Sequence, residues 1–62
     1  EVRTVSIEVD GEIFEVDLKV GLDEAGEAFD VSAEHDDAAA VAAETDRPVR
    51  EIRRRAEETL EE

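Results

Sequence analysis

Val5-Ser6-Ile7-Glu8-Val9-Asp10-Gly11-Glu12-Ile13-Phe14-Glu15-Val16-Asp17-Leu18-Lys19-Val20 is the stretch that decides the fold of this 62-residue chain. From Val5 to Val9 apolar residues alternate with Ser6 and Glu8, and from Phe14 to Val20 they alternate with Glu15, Asp17 and Lys19. A period of two belongs to half-buried strands, whose successive side chains point to opposite faces. Between the two runs stands Asp10-Gly11. Both central positions of a type I′ turn need positive φ, which Gly adopts freely and Asp tolerates, so an antiparallel hairpin is expected here.

Downstream, Gly21 to Gly26 carries turn and acidic residues, and Ala28, Phe29 and Val31 predict a short third strand with Phe29 and Val31 on one face. Ser32 then precedes Ala33-Glu34-His35-Asp36-Asp37. A hydroxyl there can accept from the orphan amides of a helix, and acids favour its positive end, so a helix starts at this point. Its apolar line is Ala38, Val41, Ala42 and Thr45. Side chains this small let another element approach closely.

Asp46-Arg47-Pro48 interrupts, because Pro lacks an amide hydrogen and is accepted at the first position of a new helix. In that second helix Val49, Ile52, Ala56 and Leu60 recur at steps of three and four. Glu51 with Arg55, and Arg54 with Glu58, are spaced for weak helical ion pairs. The expectation is one small α+β domain over residues 1–62: an antiparallel hairpin with a short third strand, then two helices packed on one face. Phe14, Val16, Leu18, Phe29, Val31, Val41, Ile52 and Leu60 are the expected core.

Twenty Asp and Glu face only Lys19 and six Arg, for a net charge of −13. Such a domain repels itself until salt shortens the Debye length, to about 3 Å near 1 M. With Lys nearly absent, Ala abundant and Phe14 and Phe29 the sole aromatics, the composition is that of a halophile's cytoplasm. Low hydrophobicity with high charge also describes an acidic disordered segment, and that alternative stands beside it. There is no Cys and a single His, which excludes disulfide and zinc frameworks. No apolar run approaches the roughly 18 residues of a membrane span, and no basic leader is present, so a cytoplasmic protein is expected. A start at Glu1 without any Met suggests a domain cut from a longer protein.

Five of the seven cations, Arg47, Arg50, Arg53, Arg54 and Arg55, fall in the second helix region. Guanidinium forks suit phosphate, and Arg47, Arg50 and Arg54 can lie along one side near a helix N-terminus, making them candidate phosphate contacts. The competing role is to neutralise Glu51, Glu57 and Glu58 or an acidic partner surface. Nucleic acid is disfavoured by the negative field and the lack of stacking aromatics. His35 beside Glu34, Asp36 and Asp37 has metal-ligating groups, but adjacent helical residues diverge by about 100° and a solvated helix start explains them better. Ser6, Ser32, Lys19 and the Thr residues have no paired base, so no catalytic residue is assigned.

The order Arg3-Thr4-Val5, Gly11, Glu34, Asp37, Ala43-Glu44-Thr45, Pro48 and Glu51 resembles the C-terminal end of the LarC-type nickel-insertion proteins. Ala33 stands where that family has Pro, His35 where it has an aromatic, and Asp46 where it has the Gly that favours a left-handed helix end. The resemblance implies a relative of an enzyme that builds the nickel-pincer nucleotide cofactor by CTP-dependent insertion of nickel, and the acidic composition adds the expectation of a haloarchaeal source. The resemblance also implies CTP with Mg or Mn, and nickel, for the parent protein, with no cofactor in this fragment. The implied partners are the remainder of the parent chain and further copies in a homo-oligomer, and the implied role is assembly and shaping of the nucleotide site. A small acidic interaction module that binds no nucleotide is the alternative.

Overall fold

A computed structural model describes residues 1–61, the side chain of Glu61 excepted. Three strands, β1 (Val2–Val9), β2 (Glu12–Leu22) and β3 (Ala28–Ala33), are followed by helices α1 (His35–Thr45) and α2 (Val49–Glu61). The sheet is antiparallel throughout, in the order β1-β2-β3. This is the expected α+β fold.

The hairpin forms for the reason its sequence announces. Asp10 and Gly11 take φ of 52° and 85°, and the register places Val9 opposite Glu12, Ile7 opposite Phe14 and Val5 opposite Val16. That register puts Ile7, Val9, Val16, Leu18 and Val20 on one face, where they are buried beneath the helices. Thr4, Ser6, Glu15 and Asp17 take the other. A one-residue slip would exchange these sets, so core and register enforce each other.

The helices close the core with short side chains. Ala38, Val41 and Ala42 of α1 are buried against the layer that includes Ile52 and Ala56 of α2. Val5, Phe14, Val31, Val49 and Leu60 are partly buried around this cluster. Between the helices Asp46 adopts the left-handed conformation, φ 55° and ψ 41°, and its amide donates to the Ala42 carbonyl. An L residue other than Gly or Asn holds that conformation at some cost.

Two expectations are corrected. Phe29 is 70% exposed and lies outside the core. Along β2 the step from Gly21 to Leu22 is matched on β3 by the step from Asp30 to Ala28, so Phe29 is the extra residue of a bulge and the alternation with Val31 is broken. Its ring lies over Gly21, where an added Cβ would come within 3.1 Å of Cζ. Ser32 does not cap α1. It continues β3 opposite Lys19, and the N-cap position falls to Glu34, which makes no side-chain cap bond. Asp36 and Asp37 do occupy the first turn of α1, as the favourable dipole end requires.

Candidate functional site

Arg47, Arg50 and Arg54 meet different fates. Arg47 lies in the link before α2, and its guanidinium is engaged by two carboxylates: Nη2 and Nε donate to the Asp10 oxygens at 2.6 and 3.1 Å, and Nη1 donates to Glu51 Oε2 at 3.0 Å. The Arg47 fork so ties the hairpin turn to the start of α2. Its hydrogen bonds hold the Asp10 carboxyl below the usual carboxylate range, and both acids push the Arg47 guanidinium up. Arg50 and Arg54 are exposed, four residues apart on one side of α2, and make no ion pair within 4.0 Å among the described residues. Both forks are open to an anion in solution.

The other arginines of α2 are placed differently. Arg55 Nη1 donates to the Glu8 carbonyl at 3.0 Å and Nη2 stands 3.7 Å from Glu51, which forms the Glu51–Arg55 pair anticipated by their spacing. The other spaced pair, Arg54 with Glu58, is not formed within 4.0 Å. Arg53 is half-buried, and its Nε is buried with no hydrogen-bond partner. Arg47 and Arg55 therefore pair with Glu51, while Arg50 and Arg54 stand exposed without an ion pair among the described residues.

His35 is the exposed first residue of α1. Among the described residues no group of three or more His, Cys, Asp or Glu side chains is arranged to hold a metal ion. Nor is any helix among them long and apolar enough to cross a membrane.

Two acceptors were not singled out from the sequence. Asp37 Oδ2 accepts from the Asp17 amide at 2.9 Å, beside a bond from the Glu34 amide to the Asp17 carbonyl at 2.9 Å. Glu57 Oε2 accepts from the Ala33 amide at 3.0 Å. In each case a carboxylate reaches from a helix to a strand amide that lacks a strand partner. Glu57 is next to buried Ala56 and three before Leu60, so a charged group beside the apolar stripe was the signal available.

The chain is similar to proteins described as "putative nickel insertion protein" from three methanogens. It is 37% identical to that of Methanosarcina barkeri, 40% to that of Methanosarcina acetivorans and 37% to that of Methanosarcina mazei, each over 57 residues. Those residues are 92% of this chain, which spans about 14% of the length of the curated relatives it matches. No protein-family model matches the chain, and no solved structure matches it at significance.

Proposed function

We propose that this chain is the C-terminal assembly and nucleotide-site domain of a LarC-type, CTP-dependent nickel-insertion protein of the cytoplasm of a salt-adapted cell. The observation that carries this reading is the similarity of 57 residues, nearly the whole chain, to proteins named for nickel insertion. Nickel is the substrate of that reaction. The chain has no Cys and one exposed His, and no His, Cys, Asp or Glu cluster among the described residues is arranged to hold a metal, so in this reading the metal is handled elsewhere in the parent protein.

What the chain can offer a triphosphate is the outer side of α2. Arg50 and Arg54 are unpaired forks whose planar donors match phosphate oxygens, and the field of the other acids discourages any anion that does not meet them. Arg47 joins them only when Asp10 or Glu51 yields it. Its role here is positioning: it sets the start of α2 against the hairpin turn.

The test is an amide correlation spectrum of the chain titrated with CTP and Mg²⁺, with ATP as control, at the lowest salt that keeps the spectrum dispersed. CTP-selective shifts from Arg47 to Arg54, lost in the double variant Arg50→Ala/Arg54→Ala, are expected. A dispersed spectrum indifferent to both nucleotides overturns the nucleotide-site role and leaves the module without nucleotide.

A further inference from the structure

The sheet has two free edges, and they are not equivalent. On β1 the Glu8 carbonyl is taken by Arg55, and the adjoining cleft of about 360 Å³ is lined by Ser6, Ile7, Glu8, Arg55, Glu58 and Thr59. Its charges are mixed, and its one large apolar residue, Ile7, is buried. No apolar anchor is on offer there.

The β3 edge differs in backbone, surface and charge. Val20 exchanges both of its backbone bonds with Glu1, its amide donating to the Glu1 carbonyl at 2.7 Å and its carbonyl accepting from the Glu1 nitrogen at 3.0 Å. Val20 and Val31 are therefore a non-hydrogen-bonded pair, and the amide and carbonyl of Val31 point away from β2. Two residues on, the Ala33 amide points the same way and is occupied by Glu57. Beside open Val31 lies a groove of about 370 Å³ lined by Ala28, Phe29, Asp30, Val31, Glu57 and Leu60. Phe29 is 70% exposed on its rim, Val31 and Leu60 are half-buried, and the charged groups lining it are two carboxylates with no cation.

We infer that the β3 edge docks an extended segment of a partner protein, paired to the backbone at Val31, with one large apolar side chain against Phe29 and Leu60 and flanking Lys or Arg beside Asp30 and Glu57. Main-chain bonds to a sheet edge supply affinity in such docking, and alternate side chains supply choice. The charges select the occupant. A second copy would bring Asp30 and Glu57 toward their own kind on a chain of net charge −13, whereas a cationic segment meets a complementary field. Segments with acidic flanks are rejected by the same groups that hold basic ones.

The probe is a synthetic hexapeptide of alternating Lys with Val, Phe and Val, titrated into the isotope-labelled 62-residue chain at about 0.15 M salt, where charges beyond about 8 Å are screened. The control replaces each Lys with Glu. Expected are amide shifts confined to Ala28–Ala33 and Leu60, slowed exchange of the Val31 amide, and an affinity at least about tenfold above that of the Glu control. Phe29→Ser should lower that affinity about tenfold by removing the anchor. Val31→Pro should abolish binding by removing the donor, and it suits an edge position whose amide has no strand partner. Equal binding of the Glu control, shifts centred on β1 or on Arg50 and Arg54, or no binding at millimolar peptide would each overturn the inference. So would self-association of the free chain through the same amides, which would make a second copy the occupant.

Discussion

At the hairpin turn the helices are held by an exposed ion-pair fork, and beside the middle of β2 by carboxylates that accept from backbone amides. Arg47 spans Asp10 and Glu51 at the hairpin-turn end, in contact with solvent on every side chain involved. Asp37 and Glu57 bond the amides of Asp17 and Ala33 in partly buried settings at the end where β3 gives way to α1. The first kind of attachment is screened by salt and adds little. Losing the second strips a partly buried amide of its acceptor, which costs more the less water can reach it. A chain with this excess of negative charge is expected to have its ion-pair end weakened in molar salt and its amide end preserved.

Both attachments presuppose the layer between them, so the largest effect is expected at Ile52, which is fully buried. Ile52→Asp loses that side chain's burial and places a charge in the core, costing about 4 kcal/mol or more. A domain of this size has little beyond that to lose. Loss of the cooperative thermal transition in circular dichroism is the expected outcome. An unchanged melt would detach α2 from the core and remove the comparison altogether.

Next in size is Glu57→Ala, which strips the acceptor from the Ala33 amide. A loss of about 1–3 kcal/mol is expected for a buried donor left unpaired. Chemical denaturation should show the same loss in dilute and in molar salt, and Glu57→Gln, whose side-chain carbonyl can still accept, should recover most of it. A loss that fades with salt would mean that both attachments hold by charge alone.

Asp46→Gly works in the opposite direction. Asp46 sits at φ 55° after α1, and Gly enters that conformation without the Cβ penalty, so a gain of about 0.5–1 kcal/mol in stability is expected. An increase in thermal midpoint checks it; a decrease would show that the Asp side chain contributes to the link beyond its backbone conformation.

How much of this was legible depended on sequence distance. Asp10-Gly11 and the alternation around it are local, and the hairpin followed them, with β1 and β2 extending beyond the expected runs to Val2 and Leu22. Phe29 failed because its facing is set by the bulge across from Gly21, a feature of pairing between strands and not of either strand. Ser32 has the chemistry of a cap and the neighbours of one, yet pairing with Lys19 held it in β3. The arginine cluster was visible at Arg47, Arg50 and Arg54, but Asp10, 37 residues earlier, captured Arg47, and no spacing rule reaches that far. Small residues in α1 were informative in the other direction: Ala38 and Ala42 announced the close helix packing that the fold uses.

The smallest effect is expected at the fork itself, and its sign with pH distinguishes it from the amide end. Arg47 lowers the Asp10 carboxyl by hydrogen bonding, so the folded state binds its proton less readily than the unfolded state. A depressed carboxyl contributes stability that is fully present above its ordinary range near pH 4 and is lost as pH falls through the lowered folded-state value. Asn keeps the αL tolerance that the turn requires at φ 52°, so Asp10→Asn removes the charge while leaving the hairpin. The variant should be slightly less stable than the parent chain at pH 7 in dilute salt, and indistinguishable from it either in molar salt or once the pH has fallen below the lowered folded-state value of Asp10. Denaturant midpoints at those three conditions decide the matter. A difference that persists in molar salt would make the Arg47 fork a geometric clasp comparable to Glu57, and the two attachments would then hold in the same way.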